Sequence, residues 1–148
     1  MPDYFIDSSA LAKHYRDEVG SRWVSQLFLG NDRLVVSRLG HLEVACAIVR
    51  RGRAALDPPQ LITAALTALD VDVNAALEVI EVNSQVMRLA MDTARIHGLR
   101  GADAIQLACA LLWRTPSTGD FGFISADDEL NTAAAAEDLH VENPNLHP

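Results

Sequence analysis

The chain is 148 residues long, 49% hydrophobic and 5% aromatic, with a formal net charge of −8. That length supports one domain, spanning residues 1–148, with a sizeable core, and the composition fits a globular α or α/β protein rather than a disordered one. The acidic balance argues against a broadly basic nucleic-acid surface. Met1-Pro2-Asp3 does not open a secretory signal, and no apolar run reaches the roughly 18 residues of a membrane span, so a soluble, cytoplasmic protein is expected.

Strand-like apolar runs alternate with helical patterns along the chain. Tyr4–Ile6 predicts a buried strand, and Ser8 or Ser9 then caps a helix carrying Leu11, His14 and Tyr15. Gly20-Ser21 opens a second helix through Trp23, Val24, Leu27 and Phe28, which Gly30-Asn31-Asp32 ends. Leu34–Ser37 predicts a strand and Leu39–Arg51 a helix. Asp57 before Pro58-Pro59 predicts a capped helix start, with the helix running to about Leu69. Leu77–Val82 alternates apolar and acidic residues, the pattern of a short edge strand.

Asn83 caps the next helix, which Gly98 closes. A helix over Asp103–Trp113, a strand over Phe121–Ser125, a helix over Asp128–Glu137 and a short strand at His140-Val141 complete the series. Arg114–Gly119 reads as an exposed loop and Asn143–Pro148 as a frayed tail. Cys46 and Cys109 lie in apolar helical patterns without CxxC spacing and read as small buried hydrophobes. Non-alternating apolar strands separated by helices predict an α/β fold, a mostly parallel sheet flanked by helices on both faces.

In open parallel sheets, ligands bind beyond the carboxyl ends of the strands. Asp7 and Asp127 directly follow strands, Asp103 opens a helix, and Glu43 lies near the start of another. Asp7 and Asp103 also suit helix caps, and of Asp127 and Asp128 one suits a cap and the other a ligand. Glu43 is the most informative acid. Its helical neighbours Leu39, Cys46 and Ala47 are apolar, and Arg50 is too distant for an i,i+4 pair. A buried carboxylate there needs a partner, either a metal or an arginine from another helix.

Acids so scattered in sequence meet only through folding, and together they repel unless a cation sits among them. The set points to hydrolysis or phosphoryl chemistry on a divalent metal. These four acids also account for half of the −8 excess. Lys13 is the only lysine; the other cations are arginines, which suit bidentate phosphate contacts. Arg16, Arg38, Arg50, Arg51 and Arg100 are candidates for such contacts.

The order strand-Asp, helix-Glu, helix-Asp, strand-Asp resembles the PIN-domain ribonucleases, and within them the VapC-type toxins of bacterial toxin–antitoxin pairs. The matching stretches are Tyr4–Lys13, Ser37 to Glu43, Leu99 to Ala108, Phe123–Leu130 and the closing Leu139–Pro144. The resemblance implies a PIN-like three-layer fold and an endoribonuclease dependent on Mg²⁺ or Mn²⁺. Carried onto this chain, it makes Asp7 and Asp103 the closest metal ligands. Glu43 and Asp127 become further ligands or water-orienting groups, with Asp128 competing for the place of Asp127. Ser9 and Ser125 match supporting hydroxyl positions.

The resemblance further implies an RNA substrate, a small antitoxin as partner, and a homodimer. Helices bearing Trp23, Leu27 and Phe28 and bearing Leu61, Ile62 and Leu66 are amphipathic enough to offer a groove, although periodicity alone favours core packing. Two other readings compete. An aspartate-dependent phosphatase generally needs a second Asp two residues after the first, where this chain has Ser9. A non-catalytic PIN-like module binding protein or RNA is told apart by the lack of metal-dependent RNA cleavage.

Overall fold

The computed structural model describes residues 3–116 and 119–148. Among them, five strands form one parallel sheet in the order β3-β2-β1-β4-β5: β1 (Asp3–Ile6), β2 (Arg33–Ser37), β3 (Leu77–Ile80), β4 (Phe121–Ile124) and β5 (His140–Glu142). The expected α/β class holds, and the sheet is parallel at every described pairing. Seven helices connect the strands: α1 (Ser8–Leu11), α2 (Ser21–Leu29), α3 (Arg38–Ala54), α4 (Pro59–Ala75), α5 (Ser84–His97), α6 (Gly101–Trp113) and α7 (Asp128–Ala136). Short 3-10 turns follow α1 (Ala12–Tyr15) and β5 (Pro144–Leu146).

Period-two alternation divides the strand side chains between two cores. Phe5, Val35 and Phe123 pack against α5, α6 and α7, while Ile6, Leu34, Val36 and Ile124 pack against α1 to α4. Phe5 and Phe123 are paired in register and their rings stack with centroids 5.5 Å apart. Both faces are covered, which is why the central strands are apolar without interruption. β1 lies mid-sheet between β2 and β4, so the loop after Ile6 opens at the centre of the carboxyl rim.

Several local expectations change. Asp7, rather than Ser8 or Ser9, caps α1, its carboxylate accepting the Ala10 amide at 3.0 Å. Asp57 does not cap α4: Pro58 holds that position, while the Asp57 amide turns back to the Gly52 carbonyl at 2.9 Å and closes α3. α4 also continues past Leu69 to Ala75, because Val73 extends its buried stripe while Asp70 and Asn74 face solvent. The two cysteines part company, Cys109 buried and Cys46 exposed.

The C-terminal segment is folded rather than frayed. Pro144 is buried, and His147 stacks on Trp23 of α2 with centroids 4.3 Å apart. Of the expected loop at Arg114–Gly119, Arg114 to Pro116 and Gly119 are exposed; Ser117 and Thr118 lie outside the described residues. Among the described residues, no helix is long and apolar enough to cross a membrane.

Candidate metal centre at the carboxyl edge of the sheet

Parallel register places Asp7 beside Ser125. Ile6 pairs with Ile124, the Asp7 amide donates to the Ile124 carbonyl at 3.0 Å, and the next residues of β1 and β4 face each other. Asp7 is 3% exposed. Its Oδ1 accepts Ser9 Oγ at 2.8 Å and the Ala10 amide; its Oδ2 accepts Ser125 Oγ at 2.9 Å. Ser9 and Ser125 also tie down the loop after β4, accepting the amides of Ala126 at 3.0 Å and Asp127 at 3.1 Å. The two hydroxyls thus bind Asp7 to the loop that carries Asp127.

Burial pushes the Asp7 carboxyl up to about 7, overcoming the hydrogen bonds that favour its charged form, and Asp103 adds a smaller like-charge push. Asp103 lies in the first turn of α6, half-buried. Its carboxyl is also raised, first by burial and then by Asp127, with Glu43 and Glu129 adding and the Arg100 guanidinium opposing. Asp103 is therefore the electrostatic hub: it senses Glu43 and Asp127 and is sensed by Asp7.

Glu43 projects from α3 and is half-buried, not fully enclosed. The stripe around it is looser than its sequence suggests, since Cys46 is exposed and only Gly40, Val44 and Gly52 of α3 are buried. Its Oε1 accepts Gln106 Nε2 at 2.8 Å and Ser8 Oγ at 3.1 Å. Neutral donors, rather than an arginine, partner this oxygen. Asp127 caps α7, its Oδ1 accepting the Leu130 amide at 2.9 Å. Asp128 is exposed and accepts Asn143 Nδ2 at 3.2 Å. Of the two, Asp127 is the one whose charge reaches Asp103.

The donor set is all oxygen and strongly anionic, which fits a hard divalent cation rather than a thiophilic one. Burial first and like-charge repulsion second raise Asp103, and the repulsive part is what such a cation relieves. Among the described residues, no three His, Cys, Asp or Glu side chains stand close enough to enclose an ion. Mg²⁺ needs no such cluster, since few carboxylates contact it and water completes its shell.

Sequence reasoning missed Ser8, Ser37 and Gln106, which hold Glu43 and its surroundings. Gln106 leaves a signal: it stands three residues after Asp103, on the same helix face, as the one polar side chain in the run Ala104–Leu112. Of the candidate arginines, Arg100 acts on Asp103. Arg38 is held by Glu81 at 2.6 Å and Arg51 lies 3.5 Å from Glu18.

Comparison with known proteins bears on the family and the fold. The PIN domain family model matches residues 4–136. The ribonucleases VapC45 and VapC49 of Mycobacterium tuberculosis are each 35% identical to this chain over 153 aligned positions, covering 100% of both chains. Among solved structures, a toxin–antitoxin complex from Klebsiella pneumoniae superposes with a TM-score of 0.64 at 16% identity, over 95% of this chain and 97% of that one. A family match across most of the chain and full-length similarity to two VapC proteins establish that the chain belongs to the PIN-domain family, among its VapC-type members.

Proposed function

We propose that this protein is a metal-dependent endoribonuclease, the toxin of a type II toxin–antitoxin pair acting in the cytoplasm. The observation that carries the reading is that hydrogen bonds through Ser8, Ser125 and Gln106 gather the segments bearing Asp7, Glu43, Asp103 and Asp127 at the sheet's carboxyl edge. The named activity of VapC45 and VapC49 supplies the substrate class. Asp103 and Asp7 would hold Mg²⁺ or Mn²⁺ most directly, with Glu43 and Asp127 as further ligands or orienting groups. Bound there, the ion supplies an acidified water and neutralises charge on the phosphodiester.

The chain's own residues prepare that chemistry. Ser9 and Ser125 fix the Asp7 carboxylate, and Ser8 and Gln106 fix one oxygen of Glu43. Arg100, whose charge opposes the rise of Asp103, would be the cation to meet a phosphate that approaches the acids. The partner is a small antitoxin, in keeping with the complex from K. pneumoniae, and the working form is a homodimer.

The test is to incubate the pure protein with total cellular RNA in Mg²⁺, Mn²⁺ or chelator and to map new ends. Discrete cleavage is expected with either metal and none with chelator. Asp7→Asn and Asp103→Asn should each fold and lose more than the roughly 100-fold expected for residues that merely support ligands. Cleavage that survives chelator, or that persists in both variants, would sink the assignment and favour a non-catalytic module.

A further inference from the structure

Glu43 is not left to find its own orientation. Gln106 is 1% exposed, and its amide spans the gap between α3 and α6. At one end Oε1 accepts Ser37 Oγ at 2.8 Å; at the other Nε2 donates to Glu43 Oε1 at 2.8 Å. Ser37 is itself fully buried, ends β2 and caps α3, accepting the Gly40 amide at 2.8 Å. The chain of bonds therefore runs from the backbone of the first turn of α3, through a buried hydroxyl and a buried amide, to one oxygen of Glu43. Ser8 Oγ, at 3.1 Å, completes the grip on that oxygen.

The direction of the amide is determined by charge. Turned over, Gln106 would aim its carbonyl at a Glu43 carboxyl oxygen, placing two acceptors face to face. The observed orientation offers the carboxylate a donor and leaves the carbonyl for the Ser37 hydroxyl. Space is also reserved for this contact: a Cβ at Gly40 would stand 3.2 Å from Ser37 Oγ and 3.3 Å from Gln106 Nε2. Among the described residues, no hydrogen bond reaches Glu43 Oε2, so both grips fall on one oxygen and leave the other available.

We infer that Gln106 is a positioning residue, which locks Glu43 so that its free oxygen faces the ion-binding acids; this rests on the proposed role of Glu43. Outer partners of metal ligands act in this way, fixing orientation without touching ion or substrate. Gln106 does so from the same helix that presents Asp103, so α6 sets two of the four acids at once.

The experiment compares wild type with Gln106→Met, Gln106→Glu, Glu43→Gln and the double variant Glu43→Gln/Gln106→Met. Two readouts are taken: Mn²⁺ binding to RNA-free protein by calorimetry, and single-turnover cleavage of one RNA. Gln106→Met should weaken Mn²⁺ binding and slow cleavage roughly 10- to 100-fold. Gln106→Glu keeps the volume but sets a second carboxylate against Glu43, and should lose at least as much.

In the Glu43→Gln background, Gln106→Met should cost Mn²⁺ affinity little further, because the two residues act as a unit. Wild-type affinity and rate in Gln106→Met overturn the inference. So does an undiminished further loss in the Glu43→Gln background, which marks general packing. Should Gln106→Met fail to fold, wild-type Mn²⁺ affinity in Gln106→Glu overturns it instead. A wild-type protein that neither binds Mn²⁺ nor cuts RNA overturns the proposed function itself, a different result from a working enzyme indifferent to Gln106.

Discussion

Asp7 caps a helix, receives two serine hydroxyls and is nearly sealed from water, all with one carboxylate. The groups that favour its ionised form are neutral donors, and burial outweighs them, raising the carboxyl to about 7 from an unfolded value near 4. A raised carboxyl makes the native state bind the proton more tightly than the unfolded chain. Stability is therefore greatest with Asp7 protonated, and it falls as pH rises from about 4 to about 7. The full penalty is on the order of 4 kcal/mol above that window. His14 slopes the other way, because burial lowers its pKa and acid then favours the unfolded chain. Comparison with Asp7→Asn isolates the carboxylate. In chelator, the variant should melt higher than wild type by roughly 5–10 °C at pH 8, with the gap closing toward pH 4. A gap that is flat with pH, or that widens in acid, would contradict the burial argument. Mg²⁺ should narrow the gap at pH 8 by stabilising the wild type alone.

At the scale of elements, the sequence was legible wherever burial wrote a period. β1, β2 and β4 are apolar on both faces, and α5 carries both its start signal, Asn83, and its stop signal, Gly98. Legibility failed where a polar residue serves something distant. The expected end of α4 near Leu69 falls short because Asp70 and Asn74 are the exposed face of a helix whose buried stripe continues to Val73. Gln106 looked like one polar residue in an apolar helix, and its partners lie 63 and 69 positions away. The C-terminal turn was illegible for the same reason: its anchors are on α2.

Glycine tests this last contact. Gly20 (φ +86°) precedes α2, and a Cβ there would strike the Pro144 carbonyl. Gly98 (φ +68°) ends α5 with nothing within 4 Å of its would-be Cβ. Gly98→Ala should cost about 1 kcal/mol, the strain of the left-handed region alone. Gly20→Ala adds a backbone collision and should cost about 2 kcal/mol or more beyond that. Equal losses in chemical denaturation would show that the turn at Pro144 does not press on α2.

The whole molecule combines a strongly acidic chain with a site that repels itself, and its surface is not uniform. On the flank formed by the turn after α1, α3 and α4 lies an open cavity of about 610 Å³, lined by Ile48, Leu61, Ile62 and small alanines. The two helices first suspected of forming a groove divide here. Trp23 and Phe28 of α2 are occupied internally, stacked on His147 and His14. Leu61 of α4 is 56% exposed at the cavity wall. An apolar recess beside exposed leucine is the kind of surface that takes the apolar face of a small partner, and Arg51 and Asp57 at its margin offer polar anchors. If the antitoxin seats there, Leu61→Asp should leave metal-dependent RNA cleavage unchanged, because Leu61 is exposed and the cavity it lines holds none of the site acids. The same substitution should weaken neutralisation by burying a charge at the interface, on the order of 2–4 kcal/mol, or roughly 30- to 1,000-fold in affinity. The measurement is growth rescue on co-expression with the small product of the neighbouring gene, together with titration of that product against purified protein. Full rescue and unchanged affinity in Leu61→Asp would place the antitoxin elsewhere. Loss of cleavage in the same variant would mean that α4 and the acids are mechanically linked.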